Sequence, residues 1–213
     1  MLGQFATELL DEGMKFSPDK DVVAMINDRI SSIDSLLSDH LNAIMHHPDF
    51  QGLEAAWTGL RDMVFGTETG PKLKLRLLNV SKKELLKDLE TAVDYDMSNL
   101  FKKVYEDEYG TFGGSPYSML LSDFYFSRHP QDISLLERIS KVAAAAHAPF
   151  VAAADPALFD MKAFTELGTP RDMSKIFESA ELITWKAFRD SEDSRYVSLV
   201  LPRYAARLPY GAK

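Results

Sequence analysis

Cysteine is absent from the 213 residues. That excludes disulfides, thiolate metal sites and a cysteine nucleophile, and it suits a reducing compartment. Basic charge is scarce: 24 lysines and arginines stand against 32 acidic residues, a net charge of −8. An acidic surface repels phosphate backbones, so nucleic acid is not an expected partner. The lysines that do cluster, Lys82, Lys83 and Lys87, sit among Glu84, Asp88 and Glu90. Long apolar runs are missing too. Val142 to Ala154 is interrupted by His147 and Pro149, well short of the roughly 18 residues a membrane span needs. Met1 to Leu10 lacks a basic start and so does not read as a signal peptide. These absences lead to the expectation of a soluble cytoplasmic protein with no membrane partner.

What is present is globular. At 46% hydrophobic and 26% charged, the chain has enough apolar side chains to bury a core and is not of disordered composition. Residues 1–20 read as a short helix and a loop broken at Ser17-Pro18-Asp19. The clearest pattern follows: Val22, Ile26, Ile30, Ile33, Leu37, Leu41 and Ile44 fall at steps of four and three, the spacing of one helix face. Pro48 interrupts it. Phe50, Leu53, Trp57, Leu60 and Val64 then form a second stripe ending near Gly66, so a helical hairpin or sharp bend is expected.

Beyond residue 66 strands and helices alternate. Leu73, Leu75 and Leu77 alternate with Lys74 and Arg76, which predicts a strand over 72–80. Ser81 and Glu84 form a capping box that starts a helix at once. Asp96 or Ser98 caps the next helix, and Gly110 ends it. Strands are expected over 117–126, 150–154 and 196–201, with helices over 131–147 and about 171–190. The predicted fold is therefore α/β: a mixed or parallel sheet with flanking helices, preceded by a long-helix extension over 1–66, with the α/β domain over 67–213.

Chemical motifs are few. Gly110-Thr111-Phe112-Gly113-Gly114 is glycine-rich, but no Gly-Lys-Ser/Thr follows and the glycines precede a strand. It reads as a helix stop and tight turn, not a phosphate cradle. His46-His47-x-Asp49 offers metal-ligand types, but adjacent helical side chains diverge by about 100°, and a histidine facing the helix dipole is simpler. No H-E-x-x-H or G-x-S-x-G occurs. The cluster Arg189 to Arg195 reads as ion pairs and caps leading into a strand. Asp123, His129 and Asp132 are the residues a small His/carboxylate hydrolase would use. No cofactor is expected. The stripe from Val22 to Ile44 has two readings, packing on the chain's own core or joining a partner helix.

Several blocks in order resemble one family. VYEDEYGTFGG (Val104 to Gly114), HPQDISLLERIS (His129 to Ser140), AAAAHAPF (Ala143 to Phe150) and RDSEDSRYVSLVLPRY (Arg189 to Tyr204) are similar to the large subunit of the type VI secretion contractile sheath, TssC or VipB. MHHPDFQGLEAAWTGL (Met45 to Leu60), LLNVSKKELLKDLE (Leu77 to Glu90), FTEL (Phe164 to Leu167), KIFES (Lys175 to Ser179) and RLPYG (Arg207 to Gly211) extend the likeness over nearly the whole chain.

The resemblance implies a structural subunit of a bacterial cytoplasm, not an enzyme. It would pair with a small sheath subunit, TssB or VipA, and with neighbouring sheath subunits, to polymerise around the Hcp tube. Contraction ejects the tube, and a ClpV-type ATPase recycles the sheath through a segment upstream of this sequence. Members of the family are longer. The expectation is thus an N-terminal to middle portion that folds and pairs but does not build a contractile sheath alone. Val197, Leu199 and Leu201 are expected on a strand that lacks a neighbour.

Overall fold

A computed structural model describes residues 22–168, 173–205 and 207–208. The expected helix over 1–20 lies outside the described residues. The chain divides into two compact units, Met1–Gly66 with Ala206–Lys213, and Thr67–Ala205.

In the first unit, helix α1 spans Val22–Met45 and helix α2 spans Pro48–Phe65. Pro48 cannot donate a backbone hydrogen bond, so it fits the opening turn of α2 and nowhere inside a helix. His47 caps that turn, its Nδ1 accepting from the Asp49 amide at 3.3 Å. The histidine thus serves the start of the second helix, where the sequence suggested the end of the first.

The second unit holds a wholly parallel sheet, the alternative to mixed pairing. Strands β1 (Leu120–Phe126), β2 (Phe150–Ala154) and β3 (Val197–Val200) lie in the order β1-β2-β3. Leu120 aligns with Phe150, and Phe150 with Val197. Helix α3 (Lys82–Thr91) begins at the predicted capping box: the Ser81 hydroxyl accepts from the Glu84 amide, and the Glu84 carboxylate accepts from the Ser81 amide. Replacing Ser81 by Ala is expected to cost about 1 kcal/mol in urea unfolding, with Ser81→Asp retaining most of the stability.

Helix α4 opens as an α-helical turn, Asn99–Phe101, and continues as a π-helix, Lys102–Tyr109. Ser98 caps it, and Asp88 of α3 accepts from the Asn99 and Leu100 amides as well. Its wider turn brings residues four apart nearly into line. Phe101 stacks on Tyr105 at 4.8 Å, and Tyr105 on Tyr109 at 5.1 Å. Helix α5 (Pro130–Ala145) packs against all three strands. Its inner face, Ile133, Leu136, Ile139 and Val142, meets Phe126, Phe150, Ala152 and Ala154 in one core with Leu85 and Leu89 of α3.

Two further expectations change. The segment 72–80 is not a strand. Gly70 and Leu73 form an isolated bridge, and the chain then runs extended with no ladder partner among the described residues. Its alternation serves side chains instead: Lys74 reaches the Ser115 hydroxyl at 3.1 Å, and Arg76 bonds Glu108 and Tyr117. The leucines between them are exposed. The helix predicted over 171–190 is broken into α6 (Met173–Phe177), a 3-10 turn (Ala180–Leu182) and α7 (Ile183–Arg189). The break lets Leu182, Trp185 and Phe188 enter the core, where α7 packs on α5.

Candidate functional site: an uncovered two-helix surface

The predicted stripe is real and bare. Ile26, Ile30, Ile33, Leu37, Leu41 and Ile44 all lie exposed along α1, with Leu37 54% accessible. Val22 opens the helix, and its side chain lies outside the described set. No described residue of α1 or α2 is buried. Within this helical unit itself, no core forms over the stripe among the described residues. The second stripe is open too: Phe50, Leu53, Trp57 and Val64 are exposed on α2, with Trp57 64% accessible. Its spacing was visible in the sequence, but its openness was not.

A long-range contact joins described residues of this unit. Arg207 forks onto Glu54 of α2, Nε to Oε1 at 2.5 Å and Nη2 to Oε2 at 2.7 Å. The two residues are 153 positions apart, so no local pattern announces the pair. The bond from Arg207 holds the Glu54 carboxyl below the usual range.

The competing chemical constellation does not assemble. Asp123 is exposed on β1. His129 is the N-cap of α5, its Nδ1 accepting from the Gln131 amide at 3.3 Å. Asp132 is consumed by the fold: Oδ1 meets Lys82 Nζ at 2.6 Å, and Oδ2 accepts from the Ser127 amide and hydroxyl, each at 2.8 Å. Lys82 also donates to the Tyr125 carbonyl at 2.7 Å and lies 4.4 Å from the Phe126 ring centroid. These contacts tie the starts of α3 and α5 to the end of β1. The bond between His129 and Asp132 is backbone only, the Asp132 amide donating to the His129 carbonyl at 2.9 Å. Among the described residues no side-chain hydrogen bond joins Asp123, His129 and Asp132, and no metal-binding group of His, Cys, Asp or Glu forms.

Burial pushes the Asp132 pKa up, but hydrogen bonds from Lys82 and Ser127 outweigh it and hold the carboxyl low. A folded pKa below the unfolded value of about 3.9 gives stability that is complete above that pH. That stability is lost as pH falls through the lower folded value. Asp132→Asn should therefore cost about 1–3 kcal/mol near pH 6, where it leaves Lys82 without its carboxylate. Urea midpoints of parent and variant should converge as pH falls below the unfolded carboxylate value of about 3.9 and on through the lower folded one.

The glycine turn has no anion chemistry. The Gly110 amide closes the π-helix on the Tyr105 carbonyl at 2.7 Å, so the turn sits at a helix C-terminus, where carbonyls repel phosphate. Gly113 has φ +82°, and a Cβ on Gly114 would lie 2.2 Å from the Glu108 carbonyl oxygen. Among the described residues the 189–195 cluster forms caps and an ion pair: Ser191 and Ser194 hydroxyls donate to the Phe188 and Arg189 carbonyls, and Arg195 meets Glu192 at 3.2 Å.

The described residues thus offer a bare two-helix surface, and their Asp123, His129 and Asp132 side chains are not joined. Comparison with known proteins gives the family. Residues 27–213 match the family described as VipB: EvpB/VC_A0108, tail sheath N-terminal domain. The chain belongs to this family. It is also 49% identical over 195 residues to a protein of Pseudomonas aeruginosa named type VI secretion system sheath protein TssC1. The match covers 91% of this chain but 39% of the relative, so the chain spans well under half the length of that protein. The VipB-family match takes in the stripe from Ile30 to Ile44 and the whole of α2, while Val22 and Ile26 precede it. Nor is any helix among the described residues long and apolar enough to cross a membrane.

Proposed function

We propose that this chain is a structural subunit of the type VI secretion contractile sheath, acting in the bacterial cytoplasm. It pairs with the small sheath subunit (TssB/VipA) through Val22, Ile26, Ile30, Ile33, Leu37, Leu41 and Ile44. Pairs polymerise with neighbouring sheath subunits around the Hcp tube, and contraction of the polymer drives the tube out. A ClpV-type ATPase takes the contracted sheath apart. The family match and the name of the 49% identical relative support the sheath role.

The observation that carries the pairing surface is the bare stripe on α1. Each aliphatic side chain contributes about 1.5–3 kcal/mol when fully buried. A 24-residue helix about 36 Å long that leaves six of them in water calls for a partner. Its steps of four, four and three repeat every eleven residues, a narrow stripe that fits another helix better than a flat surface. Because the chain has no cysteine, Leu37→Cys provides a single attachment point for a thiol-linked photoreactive probe. Illumination in the presence of the small subunit should join the two chains. Labelling of the small subunit that is no stronger than from a probe at Lys83→Cys would refute the assigned surface.

A further inference from the structure

Among the described residues of its unit, the β1-β2-β3 sheet is covered on one face only. Beneath α5 lie Phe126, Phe150, Ala152 and Ala154, all buried. The opposite face carries two cross-strand rows, Leu121–Val151–Ser198 and Tyr125–Ala153–Val200. Leu121 and Val200 are 53% and 55% exposed. Tyr125 has the Arg203 guanidinium 3.9 Å over its ring. Purely parallel sheets are almost always covered on both sides, because their crossover helices occupy both.

Topology explains why this one is not. The strands are added in sequence order in one direction, β1 to β2 to β3. Right-handed crossovers, the near-universal hand, then all fall on the same face. Accordingly α5 packs on all three strands and α7 packs on α5. Covering the second face requires a crossover in the reverse direction, which adds a strand at the free edge of β1 and lays its connecting helix across Leu121 and Val200.

We infer that this open face is the seat of a helix from the part of the sheath polypeptide outside this sequence, whose strand joins β1 at its free edge. The supply of chain is on the page: about six-tenths of the Pseudomonas aeruginosa relative lies outside the match. Of the proposed function the inference takes only family membership, so failure of pairing through α1 leaves it standing.

The test uses Leu121→Cys and the milder Ser198→Cys, each the sole cysteine of its chain, with Lys83→Cys as the exposed reference. Alkylation rates are compared in the 213-residue chain and in the same residues carried within a sheath polypeptide of the relative's full length. Urea unfolding first verifies that each variant folds. Both face positions should react like the reference in the shorter chain and about ten-fold or more slowly in the longer one, as expected where a covered segment must open first. Equal rates in the two polypeptides would overturn the inference. So would protection in the shorter chain that grows with its concentration, the mark of a second copy on this face. Protection that appears only on adding the small subunit would overturn it too.

Discussion

Ile33→Asp is expected to abolish recovery of the small sheath subunit with this chain while leaving the α/β unit folded. Ile33 is exposed in the middle of the α1 stripe, so the charge sits in water when the chain is alone. Surface changes of this kind usually move stability by less than about 0.5 kcal/mol. In a helix–helix contact the same carboxylate would be desolvated without a partner. Burying an unpaired charge costs several kcal/mol, and each 1.4 kcal/mol is about ten-fold in affinity. Adding Leu37→Asp on the same face should deepen the loss. A matched substitution on a polar face, Asp34→Asn, should bind as the parent does. Affinity capture and urea unfolding, run on the same preparations, separate loss of binding from loss of fold.

Phe126→Ala is expected to be the most damaging change in the α/β unit. Phe126 is wholly buried at the end of β1. It meets Phe150 edge to face, ring centroids 6.1 Å apart, and its centroid lies 4.4 Å from Lys82 Nζ. Truncating a buried Phe typically costs about 3–5 kcal/mol, against a total of roughly 5–15 kcal/mol for a domain. The urea midpoint should fall accordingly. Phe126→Leu, which retains most of the apolar volume, should recover more than half of the loss. Because Lys82 also holds Asp132 and the Tyr125 carbonyl, the cavity loosens the junction of β1, α3 and α5, and hydrogen exchange should quicken at all three.

Much of this fold was legible because it is written locally. The capping box at Ser81 and Glu84, the cap at Ser98, the stop at Gly110 and the strand Phe150–Ala154 each depend on residues within a few positions. The α1 stripe was legible for the same reason: a helix face repeats every three to four residues. Long-range facts were not. The alternation of Leu73, Leu75 and Leu77 promised a strand, but a strand needs a ladder partner, and alternation says nothing of whether one arrives. Asp88 capping α4 and Arg207 gripping Glu54 join residues 11 or more positions apart. The π-helical register showed itself only through Phe101, Tyr105 and Tyr109, a spacing that an α-helix also allows. As for the candidate site, sequence supplied the residues, but their exposure required the fold, since the same stripe would serve an internal core equally well.

The central claim is pairing with the small sheath subunit, and mass decides it. The chain is co-expressed with the small subunit, and the mixture is separated by size exclusion with the mass of each peak determined by light scattering. The account predicts a single peak at the summed mass of one copy of each chain, shifted back to separate peaks by Ile33→Asp. A 23.9 kDa species eluting apart from the small subunit at every concentration tried would contradict it.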